Sequence, residues 1–223
     1  MSGPTPRQLL HFVTRRLRLR RYLCDPGDGR PQPQIPAKLL LWVLLVGQIL
    51  RQYSFHALEA LVHSAARRAL LVCKRFSDDA LAYFTERLDP GPTRQALLSI
   101  VRRAKRNKAF ENCFRIGLAI DGSGAGWRGR SGCALCRPRH TAQREILGYQ
   151  HCLVLLSVVG TGLSLPVDVE PYGPEDSEYT AGQRLLRRAI GGLGKRFAQY
   201  VVVDSAFAGA SFLHTAGDLG LCV

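Results

Sequence analysis

Arg115-Ile116-Gly117-Leu118-Ala119-Ile120-Asp121-Gly122-Ser123-Gly124 is the stretch on which the fold turns. Apolar residues lead up to a single carboxylate and glycine follows at once, which predicts a buried strand over 115–121 that presents Asp121 at its C-terminal end and breaks there. Tyr200-Val201-Val202-Val203-Asp204-Ser205 has the same construction, with β-branched residues leading to Asp204.

Between these runs the pattern predicts strand two over 150–159, a turn at Gly160-Thr161-Gly162, and strand three over 163–170. Pro171 and Pro174 break the chain, and Asp176 or Ser177 starts a helix whose buried stripe is Leu185, Leu186, Ala189, Ile190 and Leu193. Strand four is 200–204, a short helix follows over 207–216, and 219–223 reads as the start of a fifth strand, cut off. The hairpin of strands two and three must be antiparallel, while the helical crossover lets strand four lie parallel to strand one. The expected class is α/β: a helical N-terminal region followed by a mixed sheet of order 3-2-1-4-5 with flanking helices. Strands one and four are then neighbours, roughly 5 Å apart. Two carboxylates at one sheet edge repel each other unless a cation lies between them. Two Mg²⁺ ions about 4 Å apart, bridged by a shared carboxylate, are the arrangement that activates water and stabilises the leaving oxygen in phosphodiester chemistry.

Upstream, residues 1–24 form a basic helical arm, in which Leu9, Leu10, Phe12, Val13 and Leu17 sit beside Arg15, Arg16, Arg18, Arg20 and Arg21. Prolines and glycines over 25–36 read as a linker that separates this arm from the body. Residues 37–110 read as successive helices, an accessory region for DNA binding, with Ser54 and Ser77 as N-caps and Asp89-Pro90-Gly91-Pro92 as a break. The last of these helices, from Thr93, ends in the cationic cluster Arg102, Arg103, Lys105, Arg106 and Lys108. Such a cluster complements the helix dipole, but five cations in seven residues exceed what a helix end requires, and they are candidates for phosphate contact.

The net charge is +14, and it is unevenly placed: residues 1–108 hold 20 Lys/Arg against 7 Asp/Glu, residues 109–223 hold 11 against 10. A field of that sign concentrates polyanions and gives salt-sensitive affinity for phosphate backbones. Because 26 of the 31 basic residues are Arg, GC-rich coding accounts for part of the excess; the clustering is the stronger signal. Seven cysteines with one close pair do not form a secreted disulfide framework and fit a reducing cytosol. The apolar run Leu39 to Leu50 is too short for the roughly 20 residues that cross a bilayer, so no membrane partner is expected.

In this order, Ser77-Asp78-Asp79, Ala119-Ile120-Asp121-Gly122-Ser123, Cys133-Ala134-Leu135-Cys136, Tyr149-Gln150-His151, Val169-Glu170-Pro171, Asp176-Ser177-Glu178 with Arg184-Leu185-Leu186, and Val203-Asp204-Ser205-Ala206-Phe207-Ala208 resemble the DDE transposases of bacterial insertion sequences, over roughly residues 77–223. The resemblance implies an RNase H-like catalytic domain over 111–223. It implies metal-dependent DNA cleavage and strand transfer during transposition, with Asp121 and Asp204 as catalytic, Mg²⁺- or Mn²⁺-binding carboxylates. Double-stranded DNA, both transposon ends and target, is the implied partner; a homodimer is compatible with it, and the compartment is the bacterial cytoplasm at the nucleoid. The family's third acidic residue, a glutamate on a helix beyond strand five, has no counterpart in this stretch, and the expectation is a truncated chain that is inactive alone. The alternative is a noncatalytic, DNA-binding transposase remnant whose salt-dependent binding survives loss of both aspartates.

Two further constellations complete the reading. Cys133-x-x-Cys136 with His140, and His151 and Cys152 beyond, offers enough thiolate and imidazole for tetrahedral Zn²⁺, and the expected ligands are Cys133, Cys136, His140 and Cys152; the other reading is a loop with two free thiols. The same excursion is cationic around Trp127, and Arg128 and Arg130 are candidates for DNA contact beside the metal site. Asp121-Gly122-Ser123-Gly124-Ala125-Gly126 lacks the following helix that a dinucleotide loop requires. His11, His56, His63 and His214 read as histidines without partners.

Overall fold

A computed structural model describes residues 5, 8, 11–16, 26–110, 115–160 and 164–223. The expected basic arm falls mostly outside the described residues, which retain a π-helical turn at Phe12–Arg16. The chain divides into two compact units, Met1–Ala96 and Leu97–Val223.

The first unit is helical. Helix α1 (Ala37–Leu50) takes up the apolar run, α2 (Phe55–His63) starts on Ser54, whose hydroxyl accepts the Ala57 N–H, and α3 (Asp78–Glu86) follows Ser77 with Asp78 and Asp79 in its first turn. Their apolar stripes meet around Trp42, Leu40, Leu81 and Phe84, all fully buried. Trp42 keeps its indole N–H satisfied inside this core by donating to the Leu70 carbonyl at 2.8 Å. The described part of the 25–36 segment is not a free linker. Arg30 is buried, its guanidinium pairs with Asp28 and lies 5.1 Å from the Phe84 ring centroid, and the Gly29 N–H donates to the Arg87 carbonyl. Proline and glycine forbid a helix there but do not forbid packing: Gly27, at φ +65°, lets the chain press against Asp89, where a Cβ would come within 2.6 Å of the Asp89 carbonyl oxygen.

Helix α4 (Pro90–Arg106) starts earlier than Thr93, because Pro90 occupies the first helical turn, where its missing N–H costs nothing, and the Asp89 carboxylate accepts the Gly91 N–H. The unit boundary falls inside α4, earlier than the expected break at 110. Leu98 and Val101 belong to the core of the second unit.

The second unit holds a five-stranded mixed sheet: β1 (Gly117–Arg128), β2 (Cys136–His140), β3 (Ile146–Val159), β4 (Leu165–Tyr172) and β5 (Tyr200–Val202). The order is β2-β3-β1-β5, with β4 also on β3. It differs from the expected order 3-2-1-4-5 because the excursion after the first strand contributes a strand of its own, β2, and because 219–223 makes only an isolated parallel bridge, Cys222 to Tyr200. The first strand does not break at Gly122. It runs on to Arg128 because Gly122, Ser123 and Gly124 pair with Val154, Leu153 and Cys152 of β3, and a bulge follows between Ala125 and Arg128.

Helix α5 (Glu178–Leu193) covers one face of the sheet with Leu185, Leu186, Ala189 and Ile190. Arg184 and Arg188 bind it to β4: Arg188 pairs with Asp168 at 2.7 Å and Glu170 at 2.6 Å, and Arg184 pairs with Glu170 at 3.1 Å and Asp176 at 2.5 Å. The Arg184 guanidinium holds the Asp176 carboxyl below its usual range, so this pair's stabilisation is fully present above the ordinary carboxylate pKa and is lost as pH falls from there through the lowered one. Ser177 begins α5, accepting the Thr180 N–H at 3.1 Å. Ser177→Ala is expected to destabilise the second unit by about 1 kcal/mol in urea unfolding, the usual cost of losing such a cap; a change under a few tenths would mean that water satisfies the Thr180 N–H equally well.

Candidate functional site

Strand alternation sets the direction of Asp121. Leu118 and Ile120 point into the core, and Asp121, of opposite parity, is exposed. Its carboxylate has no hydrogen-bond or ion-pair partner among the described residues. On the parallel neighbour, Gly117, Leu118 and Ala119 stand beside Tyr200, Val201 and Val202. Two residues past the last pair on each side come Asp121, still within β1, and Asp204, just beyond β5, so both follow the same end of the parallel pairing.

Asp204 lies just beyond β5, where it caps a 3-10 turn (Ser205–Phe207); its Oδ1 accepts the Ala206 N–H at 3.0 Å, and Oδ2 makes no hydrogen bond or ion pair among the described residues. Phe207 anchors that turn. Its ring is fully buried against Tyr179 and Phe212, at centroid separations of 6.4 and 5.6 Å, and fits only because residue 182 is glycine: a Cβ there would come within 2.5 Å of the ring. Helix α6 (Ala210–Asp218) continues from the turn, its Phe212 N–H donating to the Tyr179 hydroxyl at 2.6 Å.

A third carboxylate stands near, on the other face of β1. Glu178, in the first turn of α5, rests against Gly122, where any Cβ would collide with it, and its Oε2 accepts the Tyr172 hydroxyl at 3.1 Å. Burial, then the Glu178 carboxylate, push the Tyr172 phenol above its usual range. Asp121 and Asp204 belong to no cluster of three His, Cys, Asp or Glu donors lying within 4.8 Å of one another among the described residues. Glu178 went unassigned in the sequence reading; the signal for it was a glycine within a strand, which marks close approach of another group.

The thiol-rich excursion closes on a different donor set from the one expected. Cys133 Sγ and Cys136 Sγ are 3.5 Å apart, and His151 Nε2 lies 3.1 Å from the first and 3.4 Å from the second. Cys136 on β2 stands directly across from His151 on β3. Neither His140 nor Cys152 joins them. Cys152 follows His151 on the same strand, so its side chain takes the opposite face, where it is buried beside Gln150; His140 lies at the far end of β2, across from Ile146. The Gly132 N–H, pointing at Cys136 Sγ from 3.5 Å, leads the contacts that lower the Cys136 thiol to about 6, against the effect of burial. His56, expected to be alone, has Glu59 and Asp78 at 3.9 and 3.8 Å, an exposed surface grouping.

Of the cationic candidates, Arg102, Arg103, Arg106, Lys108, Arg128 and Arg130 are exposed. Lys105 is committed to the fold: its Nζ donates to the Arg196 and Phe197 carbonyls at 2.8 and 2.6 Å, and burial holds its ammonium below the usual range. Arg102, Lys105, Arg106 and Arg196 line a cavity of about 640 Å³ with no acidic residue in its wall. No helix of the described residues is long and apolar enough to cross a membrane. No family model, curated protein or solved structure matches the chain.

Proposed function

We propose that the second unit is the metal-binding core of a DDE-type transposase with an RNase H-like fold, acting on double-stranded DNA, and that Asp121 and Asp204 are its first two metal ligands. The observation that carries this reading is the parallel pairing of 117–119 with 200–202, past which both carboxylates follow two residues on, at matching register. The donor set suits Mg²⁺ or Mn²⁺: both groups are exposed hard oxygen donors, Asp121 is unpartnered, and Asp204 keeps Oδ2 free after capping its turn. Such ions, when bound, activate a nucleophilic oxygen and neutralise charge on the phosphodiester. The chain's own contribution is to hold one carboxylate on a rigid strand and the other on an anchored turn. The positive balance of residues 1–108 and the cationic cavity of the second unit support a polyanionic substrate.

Two ligands are fewer than the reaction requires, and among the described residues the two aspartates belong to no group of three clustered donors, so we expect divalent-metal binding without efficient nicking. Mn²⁺ binding by the full chain, followed by calorimetry, should fall to background in Asp121→Asn and in Asp204→Asn. Unchanged binding in both variants sinks the assignment. A noncatalytic DNA-binding role is favoured by the charge asymmetry alone; it predicts filter binding that weakens steeply with salt and is the same in both variants as in the parent.

A further inference from the structure

We propose that Cys133, Cys136 and His151 bind one Zn²⁺ ion that fastens the 129–145 excursion to β3. Zinc with bonds of about 2.3 Å to sulfur and 2.0–2.1 Å to nitrogen requires tetrahedral edges of roughly 3.5–3.8 Å. The three donor atoms, separated by 3.1–3.5 Å, are already within a few tenths of an ångström of those edges. A disulfide does not describe the pair, since its sulfurs would be about 2.05 Å apart. Hydrogen bonding alone does not satisfy the group either: Nε2 carries one proton or one lone pair, not both, yet faces two sulfurs. One cation satisfies all three donors.

The local backbone is built for it. The Cys136 N–H donates to the Cys133 carbonyl at 3.1 Å, closing a turn that brings both sulfurs to one side, and the Gly132 N–H points at Cys136 Sγ. The cross-strand pairing of Cys136 with His151 supplies the third donor without any loop rearrangement. Few other contacts secure this excursion: Cys136 is the one buried residue in 129–145, β2 pairs with β3 alone, and Arg137 reaches the Asp176 carbonyl and the Tyr172 ring. A segment without an apolar core needs another source of order, and zinc coordination supplies it. Three protein donors leave one tetrahedral position for water or another ligand.

Elemental analysis of the full chain, purified under reducing conditions from zinc-supplemented culture, should give one zinc per chain. Cys133→Ser, Cys136→Ser and His151→Ala should each lose it, whereas His140→Ala and Cys152→Ser should keep it. Co²⁺ added to metal-free parent protein should give the intense visible bands of a tetrahedral site together with thiolate charge transfer, a readout that does not depend on any variant folding. Absence of both zinc and the Co²⁺ spectrum overturns the proposal, as does zinc that depends on His140 or Cys152 instead of His151. None of these measurements involves DNA or the aspartates, so the zinc site stands or falls apart from the transposase reading.

Discussion

Arg188→Ala is expected to destabilise the second unit by about 3 kcal/mol, the lower end of the range for breaking a buried ion pair from one side. The Asp168 side chain is completely buried, and Arg188 pairs with it at 2.7 Å. Arg188 also pairs with Glu170 and donates to the Val169 carbonyl at 3.2 Å. Alanine would therefore strand a buried carboxylate and unfasten α5 from β4 together. Arg188 is one-third exposed, so water recovers part of the loss, which is why the upper end of the range does not apply. Urea unfolding, read by circular dichroism with hydrogen exchange across β4, checks it. The double variant Arg188→Leu/Asp168→Leu should recover most of the stability, because the penalty lies in the unpaired charge and not in the missing contact area. A single-variant loss under 1 kcal/mol would mean that the pair is solvated in solution.

Phe207→Ala should cost about 3–5 kcal/mol, the usual range for emptying a fully buried aromatic site. The cavity cannot readily collapse, since Tyr179 is held by its hydrogen bond to Phe212 and residue 182 has no side chain to lean in. The same substitution removes the anchor of the Ser205–Phe207 turn, so amide protection of Ala206 should fall by more than protection within β1. Phe207→Leu, which keeps most of the volume, should cost roughly half as much. Equal protection loss in both places would show that the whole unit loosens and that Phe207 has no particular hold on the Asp204 turn.

The sequence was legible wherever one local pattern dominated. Apolar runs ending at Asp121 and Asp204 marked the parallel neighbours, and Ser54 accepts the capping hydrogen bond expected of it; Ser77 precedes its helix without a side-chain cap bond, and of Asp176 and Ser177 it is Ser177 that caps. The thiol pair was visible from spacing, but its third donor was not: choosing between His151 and His140 required the β2–β3 register, a tertiary fact. The strand β2 itself was hidden by Pro138 and four nearby arginines, which read as a loop; an edge strand tolerates such residues because one side of it needs no partner. The glycines after Asp121 suggested a break because their use is not local. Gly122 is there to admit the Glu178 carboxylate, and Gly124 packs against Gln150, neither of which adjoins it in sequence.

The alternation along β1 gives the two aspartates unequal freedom. Asp121 is flanked in the strand by Ile120, buried in the core, and by Gly122, pressed against Glu178, so it cannot shift without dragging the hydrophobic interior with it. Asp204 stands outside the ladder on a three-residue turn. Any adjustment of the gap between the carboxylates, whether by a bound cation or by substitution, must therefore come from the Asp204 side, with Asp121 acting as the fixed jaw of a vice and the Phe207 turn as the moving one.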